Sequence, residues 1–416
     1  MQFINYLKYR LDICKDLGFR KLALLPLAFI TASTLILLSK IMKVKVYEVQ
    51  NSRIGHFTVH TELTYLSLFD DRKNFKTKGL NIYTVASPDS ANYQLQKMFR
   101  RNLLLISGNL GFLVNHLLKR ILDNQVWEET YGNDRSGLIA ESPPSLFFTP
   151  KEFSRGTTFL KTIGLTEDSK FVCLNVRDNS YLQKATGLGW TSHRDWSHHD
   201  YRDSEIGTYV AAAETLAEMG YTVFRMGAIV KEPLVSKHPR VIDYATNGMR
   251  TEFLDVYLGA KCKFCISTGT GWDSIPQIFR RPSMYVNYLP YFSVDCVVRD
   301  LTIYPKVLID FETKSELALS QIVNRKVQTR HNGHDYKDEG VTIRDLSSEE
   351  LVEAVTEMAQ RVEGTFVETP EQKVMQAKLK HILSTHPKLQ PSPNHYPIRA
   401  EFASCFLSHH PHFLDF

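Results

Sequence analysis

The stretch Cys262–Asn287, CKFCISTGTGWDSIPQIFRRPSMYVN, constrains the fold of this chain more than any other. It reads as an apolar strand (Lys263–Ser267), a Thr/Gly turn (Thr268–Gly271), a short helix (Asp273–Arg280) and a second strand (Met284–Asn287). Two strands joined by a helix lie parallel, so this unit predicts a parallel sheet. Gly269 and Gly271 leave the backbone N–H groups before the helix unobstructed by side chains. With the positive end of the helix beside them, the turn is a candidate phosphate or pyrophosphate cradle.

The chain upstream repeats the alternation. Phe171–Val176 is a near-continuous apolar run of the kind buried in a parallel sheet, and it ends in Arg177-Asp178. Ser204 is placed to cap a helix with apolar positions at Ile206, Tyr209, Val210, Ala213, Leu216 and Ala217, closed by Gly220. Strands follow at Tyr221–Met226 and Arg240–Tyr244, and a helix capped by Thr251 runs to Gly259. Alternating strands and helices predict a doubly wound α/β domain over 166–345.

With 416 residues there is room for two main domains. An earlier α/β domain is expected over 44–165. It opens with the alternating strand Val44–Val49, the loop Gln50–His56 and a helical segment Phe57–Phe69. Strands at Asn81–Ala86 and Leu103–Ile106 and helices at Tyr93–Arg101 and Asn109–Asp123 continue the pattern. Residues 346–416 form a helical tail expected to pack back on the first domain, with an amphipathic helix capped by Ser347 or Ser348. The fold class is therefore α/β, with two Rossmann-like domains, an N-terminal apolar helix and a C-terminal helical tail.

Residues 1–43 are basic and then apolar. Leu22–Ser39 carries no charge over eighteen residues, is interrupted by Pro26 and is closed off by Lys40, Lys43 and Lys45. It reads as a single membrane span, an interfacial helix or a buried helix. The flanking positive charge places the body at the cytoplasmic face of a membrane in either membrane case. A net charge of +5 with 23% charged residues suits an acidic ligand or an anionic surface and is too mild for nucleic-acid binding.

Six scattered cysteines do not form a disulfide framework. Cys262 and Cys265 make a C-x-x-C within a predicted strand, where positions i and i+3 face opposite ways, and no second pair stands at zinc spacing. His193, His198 and His199 with Asp195 and Asp200 lack a fixed geometry, and the tail histidines His409, His410 and His412 read as exposed. No metal and no cofactor are expected.

Ligands of open α/β sheets bind at the carboxyl ends of strands. Collecting those ends gives donor-site candidates Arg177, Arg225, Gly227, Tyr244, Ser267, Thr268, Gly269, Thr270 and Gly271. Guanidinium groups beside a Gly/Thr turn suit a diphosphate. On the first βα loop, Arg53 and Gly55 are acceptor-side candidates with Tyr201 and Arg202. His56 or Asp178 is the candidate general base.

Short motifs in a fixed order then give a resemblance. They are Arg53-Ile-Gly-His56, Val176-Arg-Asp178 with Tyr181, Tyr201-Arg202 ahead of Ile206, and Phe224-Arg-Met-Gly227. Ile242-Asp-Tyr244, Ser267–Gly271, Glu357-Met358 with Arg361, and Glu401-Phe402 complete the set. From Lys40 onward the chain resembles an uncharacterised family of bacterial glycosyltransferases found with surface-polysaccharide biosynthesis. The His-rich Thr191–Asp200 insertion and Trp272 depart from that pattern.

The resemblance implies a GT-B architecture, a nucleotide-sugar donor in the second domain and a glycan or lipid-linked acceptor from the first. Two other readings stand beside it. One is a non-catalytic, membrane-associated glycan-binding or assembly protein. The other is a Rossmann methyltransferase or dehydrogenase, against which the glycine turn follows a late strand and no G-x-G-x-x-G is present.

Overall fold

The structure is a computed structural model that describes residues 23–69, 79–121, 127–129, 134, 137–184, 197–291, 301–389 and 400–416. Its chain divides into two compact units, Met1–Gly132 and Asn133–Phe416.

The first unit holds four strands: β1 (Val44–Val49), β2 (Leu80–Val85), β3 (Leu104–Leu105) and β4 (Trp127–Glu129). They lie in the order β3-β2-β1-β4, and every pair is parallel. The chain winds outward from β1 to β3 and returns to β4 on the other side of β1, so the winding reverses at the carboxyl end of β1. Asn51, just past that end, is fully buried. Its side chain donates to the carbonyls of Ser87 and Asp89 and accepts from the Ser87 amide, each at 2.9 Å, tying the loops after β1 and β2 together.

The apolar N-terminal segment forms a helix over Leu25–Ser39, and Pro26 lies in its first turn, where a missing N–H costs no helical bond. Ala28, Ala32 and Leu35 pack on Leu113, Val114 and Leu118 of the helix Gly108–Ile121. Among the described residues no helix is long and apolar enough to cross a membrane. Phe29, Ile30, Leu37 and Ile41 are nevertheless exposed.

The second unit is built on a seven-stranded, wholly parallel sheet. Its strands are β5 (Phe171–Asn175), β6 (Thr222–Arg225), β7 (Val241–Ile242), β8 (Phe264–Ser267), β9 (Ser283–Tyr288), β10 (Leu301–Pro305) and β13 (Glu401–Phe402). They run in the order β7-β6-β5-β8-β9-β10-β13. A separate antiparallel pair joins β11 (Val307–Asp310) to β12 (Val341–Arg344).

Apolar runs without alternation place side chains on both faces of this sheet. Val172, Leu174, Phe264, Ile266, Met284 and Val286 face a core shared with Leu351, Val355 and Met358 of the helix Ser348–Glu363. Phe171, Cys173, Phe224 and Cys265 face the opposite core, with Phe253 and Tyr257 of the helix Glu252–Lys261 and Leu160 of the helix Pro150–Thr162. Gly156 lets the last two helices meet, since a Cβ there would lie 2.1 Å from the Tyr257 ring. Caps form where the sequence marks them: the Thr251 hydroxyl accepts from the Leu254 amide at 3.1 Å, and Ser347 with Glu350 makes a capping box.

Three expectations are corrected. Cys262 ends a helix instead of lying in a strand, and it shares one core with Cys173 and Cys265, all three free thiols. Ser204 caps no helix; a 3-10 turn at Ile206–Tyr209 intervenes before the helix Val210–Glu218. The tail lies within the second unit, where β13 adds an edge to the large sheet and Phe402, Phe406, Leu407 and Phe413 join its main core.

Nor is the histidine tail wholly exposed. His410 is buried, its ring 4.7 Å from that of Phe406. Its Nδ1 lies 2.7 Å from the Glu316 carboxylate and its Nε2 3.6 Å from that of Glu350. Arg344 and His412 also reach these acids. Burial alone would lower the His410 pKa; the two carboxylates outweigh it and raise it above 6.5. A raised folded-state pKa contributes stability in full below pH 6.5 and loses it as pH rises through the folded value. The stability advantage of wild type over His410→Gln, measured by urea denaturation, should be on the order of 1 kcal/mol at pH 5.5 and shrink towards pH 9. A difference that does not change with pH would show that His410 folds uncharged.

Candidate functional site

The winding of the large sheet reverses between β5 and β8, since β5, β6 and β7 step to one side and β8, β9 and β10 to the other. Their carboxyl ends carry Asn175–Arg177 and Ser267–Gly271, side by side. The Thr268 amide donates to the Asn175 carbonyl at 3.2 Å. The Arg177 amide donates to the Thr268 hydroxyl at 2.9 Å, and Asn175 Nδ2 to the Thr270 hydroxyl at 2.5 Å.

The turn itself differs from the expected cradle of free amides. Gly269 N–H donates to the Ser267 hydroxyl at 3.2 Å, and Trp272 N–H to the Thr270 hydroxyl at 3.2 Å. Asp273, 3% exposed, accepts from the Ser267 hydroxyl and from the Thr270 amide, both at 2.7 Å. The helix that follows is one short turn, Ser274–Ile278. A carboxylate of the chain itself thus takes the place foreseen for an anion, and burial pushes its pKa up to about 6. Gly269, at φ +77°, remains indispensable for space, because a Cβ there would lie 2.6 Å from the Tyr288 ring.

Positive charge reaches the turn from side chains instead. Arg202, which ends the 3-10 segment Ser197–Arg202, donates to the Gly269 carbonyl through its Nη2. Arg177, 14% exposed at its side chain, lies with Nε 3.0 Å from Asp203 Oδ1. The contact is close but not aligned as a hydrogen bond. Arg177 Nε and Nη2, Arg202 Nε, Asp203 Oδ1, Ser204 Oγ and the Tyr201 hydroxyl are all buried without a hydrogen-bond partner. Burial and then the neighbouring Arg202 charge lower the Arg177 pKa. Burial raises that of Asp203 to about 6 against the pull of Arg177.

Below them the buried Lys306 ammonium donates to the Asp203 carbonyl at 2.6 Å and pairs with Asp345 at 2.7 Å. Buried polar groups without partners are rare in folded proteins. Six such atoms lie together at the winding reversal of the large sheet.

The other candidates fall into distinct settings. Arg225 is 1% exposed, with Nη1 3.3 Å from Asp243. Gly227 clears Val230, whose Cγ1 would lie 2.5 Å from an added Cβ. Tyr244 is fully buried, and its hydroxyl donates to the Thr251 carbonyl at 3.2 Å and to Asp255 at 3.1 Å. Its expected ligand contact is corrected, for it is a core residue that anchors the start of the helix Glu252–Lys261.

Asp178 accepts from the Ser180 and Lys231 amides at 2.8 and 2.9 Å, which ties two loops together. Tyr201 packs on Tyr336 with ring centroids 5.3 Å apart. Of the histidine cluster, His193 and Asp195 lie outside the described residues, and the His198 and His199 rings are 4.0 Å apart on the 3-10 segment.

In the first unit, Arg53 is the N-cap of the helix Ile54–Ser67, so Gly55 and His56 occupy its first turn instead of a loop. The His56 ring meets that of His60 at 4.5 Å. Burial and then Arg53 lower the His56 pKa below 6.5, which keeps it neutral and able to accept a proton at pH 7.

Sequence reasoning missed Asn175, Asp203, Asp273 and Lys306. Asp203 directly follows the singled-out Tyr201-Arg202, so adjacency was an available signal. For Lys306, a lone lysine after an apolar strand, the sequence carries none.

No family model matches the chain, and no curated protein matches it. Among solved structures, it is similar to ADP-heptose LPS heptosyltransferase II of E. coli at 13% identity and TM-score 0.36, over 63% of this chain and 90% of that one. A glycosyl transferase of family 9 from Veillonella parvula gives 10% identity and TM-score 0.42, over 76% and 96%. The iron-containing dodecameric glycosyltransferase TibC from enterotoxigenic E. coli gives 11% and 0.28, over 62% and 64%.

Removing the Asp273 carboxylate strands the Ser267 hydroxyl and the Thr270 amide in the interior. Asp273→Ala should cost about 2–3 kcal/mol in urea denaturation, and Asp273→Asn, which keeps an acceptor oxygen, distinctly less. Equal stability of both variants and wild type would mean that this carboxylate does not hold the turn.

Proposed function

We propose that the chain is a GT-B-type glycosyltransferase that moves a sugar from a nucleotide-sugar to a glycan or lipid-linked acceptor in bacterial surface-polysaccharide synthesis. The reading rests on one observation above the others: the half-buried Arg177 and Arg202 guanidinium groups hold N–H donors without partners at the reversal point of a parallel sheet. Ligands of such sheets bind there, and two guanidinium groups suit a diphosphate. That the first unit's sheet has the same inner strand order supports the two-domain form of the reading.

In the proposed reaction the bond between the sugar's anomeric carbon and the diphosphate oxygen breaks, leaving negative charge on the departing nucleotide. Arg177 and Arg202 would stabilise that charge, in the role first given to the turn amides. The acceptor hydroxyl bonds to the anomeric carbon and releases its proton to a base. His56, held neutral, is the candidate for that base. Asp178 is the weaker one, since both its oxygens already accept backbone amides. No metal is needed in this scheme. The exposed apolar face of Leu25–Ser39, with Lys40 and Lys43 after it, would rest on the anionic cytoplasmic surface of a membrane.

UDP, GDP, ADP and CMP titrated calorimetrically should reveal at least one ligand, and Arg177→Ala or Arg202→Ala should weaken it by about 10- to 100-fold. His56→Ala should leave that affinity unchanged and slow transfer by about 100-fold or more. Failure of every nucleotide to bind, or equal binding by the arginine variants, would end the donor-site reading. Binding without any consumption of a sugar nucleotide would instead favour a non-catalytic glycan-binding protein.

A further inference from the structure

Lys306 is the one residue between β10 and β11 and the only charged residue from Leu301 to Ile309. It is 2% exposed, too deep to meet a ligand. Its backbone is held from both sides: the N–H donates to the Tyr288 carbonyl at 3.4 Å, and the carbonyl accepts from the Tyr291 hydroxyl at 2.7 Å. The ammonium donates to the Asp203 carbonyl at 2.6 Å and pairs at 2.7 Å with Asp345, just past β12. Burying an ammonium this deeply is costly, and apolar residues replace many buried ion pairs without loss of stability. Stability alone therefore gives little reason for a lysine here, and the reason lies in the carbonyl that it grips.

That carbonyl belongs to the segment that carries Arg202. The Asp203 amide donates to the Asp200 carbonyl at 2.9 Å, and the next amide, of Ser204, donates to the Arg177 carbonyl at 3.1 Å. Lys306 holds the same stretch from below, one residue from Arg202, whose guanidinium donates to the Gly269 carbonyl. Given the proposed donor site, on which this rests, we infer that Lys306 is its positioning residue, fixing the backbone from which Arg202 and the Asp203 carboxylate reach the diphosphate.

The ammonium also acts through its charge. Burial raises the Asp203 pKa to about 6; Arg177 and Lys306 pull it down, while Asp200 and Asp178 push it up. Asp345, paired with Lys306, offsets part of that ammonium's pull. An ionised Asp203 repels a diphosphate and attracts Arg177, so affinity should fall as pH rises through about 6. Loss of the Lys306 charge moves this midpoint up. Loss of the Asp345 charge, which leaves the ammonium unopposed, moves it down.

The test is a set of calorimetric Kd values for UDP-glucose, GDP-mannose and ADP-glucose from pH 5 to pH 8, with urea denaturation to show that each variant folds. The diphosphates of these probes are esterified at both ends and do not titrate in that range. At pH 5 Asp203 is largely protonated in wild type and in Lys306→Met alike, so an affinity loss of about tenfold in the variant would report position alone. Lys306→Arg, which keeps the charge and the donors, should recover most of the affinity and the wild-type midpoint. The midpoint should rise in Lys306→Met and fall in Asp345→Asn, each by on the order of half a unit, and vanish in Asp203→Asn.

Wild-type affinity in Lys306→Met, or a loss that leaves the midpoint unmoved, would overturn the inference; the donor site stands in that case if binding still depends on Arg177. Absence of all nucleotide-sugar binding by wild type would overturn both. Should Lys306→Met fail to fold, Asp345→Asn decides, because that side chain is 40% exposed and the amide keeps an acceptor for the ammonium. An unmoved or raised midpoint there would sink the positioning role.

Discussion

The second unit depends on the hydrogen-bonded join between the ends of β5 and β8. Three bonds, from the Thr268 amide, the Arg177 amide and the Asn175 side chain, hold together two strands whose onward connections leave in opposite directions. Strand pairing ends here, so side chains must continue the job that the ladder has done. Thr268 and Thr270 serve because their hydroxyls accept from the Arg177 amide and from the Asn175 side chain. Asp273 closes the arrangement from inside, and the arrangement in turn sets where the Gly269 carbonyl points. That carbonyl is what Arg202 grasps, so a guanidinium from a distant segment is positioned by bonds that hold the sheet.

The charges at this end form a graded system. Lys306 and Asp345 are paired beneath it, Arg177 and Asp203 are close but misaligned above it, and Arg202 bridges to the turn. Burial pushes the Asp203 and Asp273 pKa values to about 6, within reach of ordinary working pH. In the proposed reaction a phosphate beside Arg177 would accept from guanidinium hydrogens that meet no acceptor and would offset the pull of Arg177 on Asp203. Binding of an anion and protonation of Asp203 are therefore expected to favour each other.

Much of this architecture was legible in the sequence. The strands at 171–175, 264–267 and 283–288 announce themselves because a doubly covered parallel sheet buries both faces, leaving unbroken apolar runs. Helix caps at Thr251 and Ser347 were equally plain, since a cap is made within four residues. Failures came where partners are remote in sequence. The aromatic tail was assigned to the first domain, because nothing local reveals that Phe402 pairs into an edge strand or that His410 meets Glu316 and Glu350. The amide cradle was misjudged for the opposite reason. Its occupants, Ser267, Thr270 and Asp273, are neighbours whose side chains compete for nearby backbone donors.

The short strand β13 has a consequence for how the molecule is made. It pairs with β10 through Thr302 and Ile303, and Glu357 reaches past it to accept from the amides of Ser404 and Cys405 at 2.9 and 2.8 Å. During synthesis the tail leaves the ribosome well after β10, so that side of the sheet stays uncovered until the chain has been made through Phe402. An uncovered strand of that kind is a template for pairing with another chain. The two-residue strand and its carboxylate fastening therefore act as a late seal on that edge.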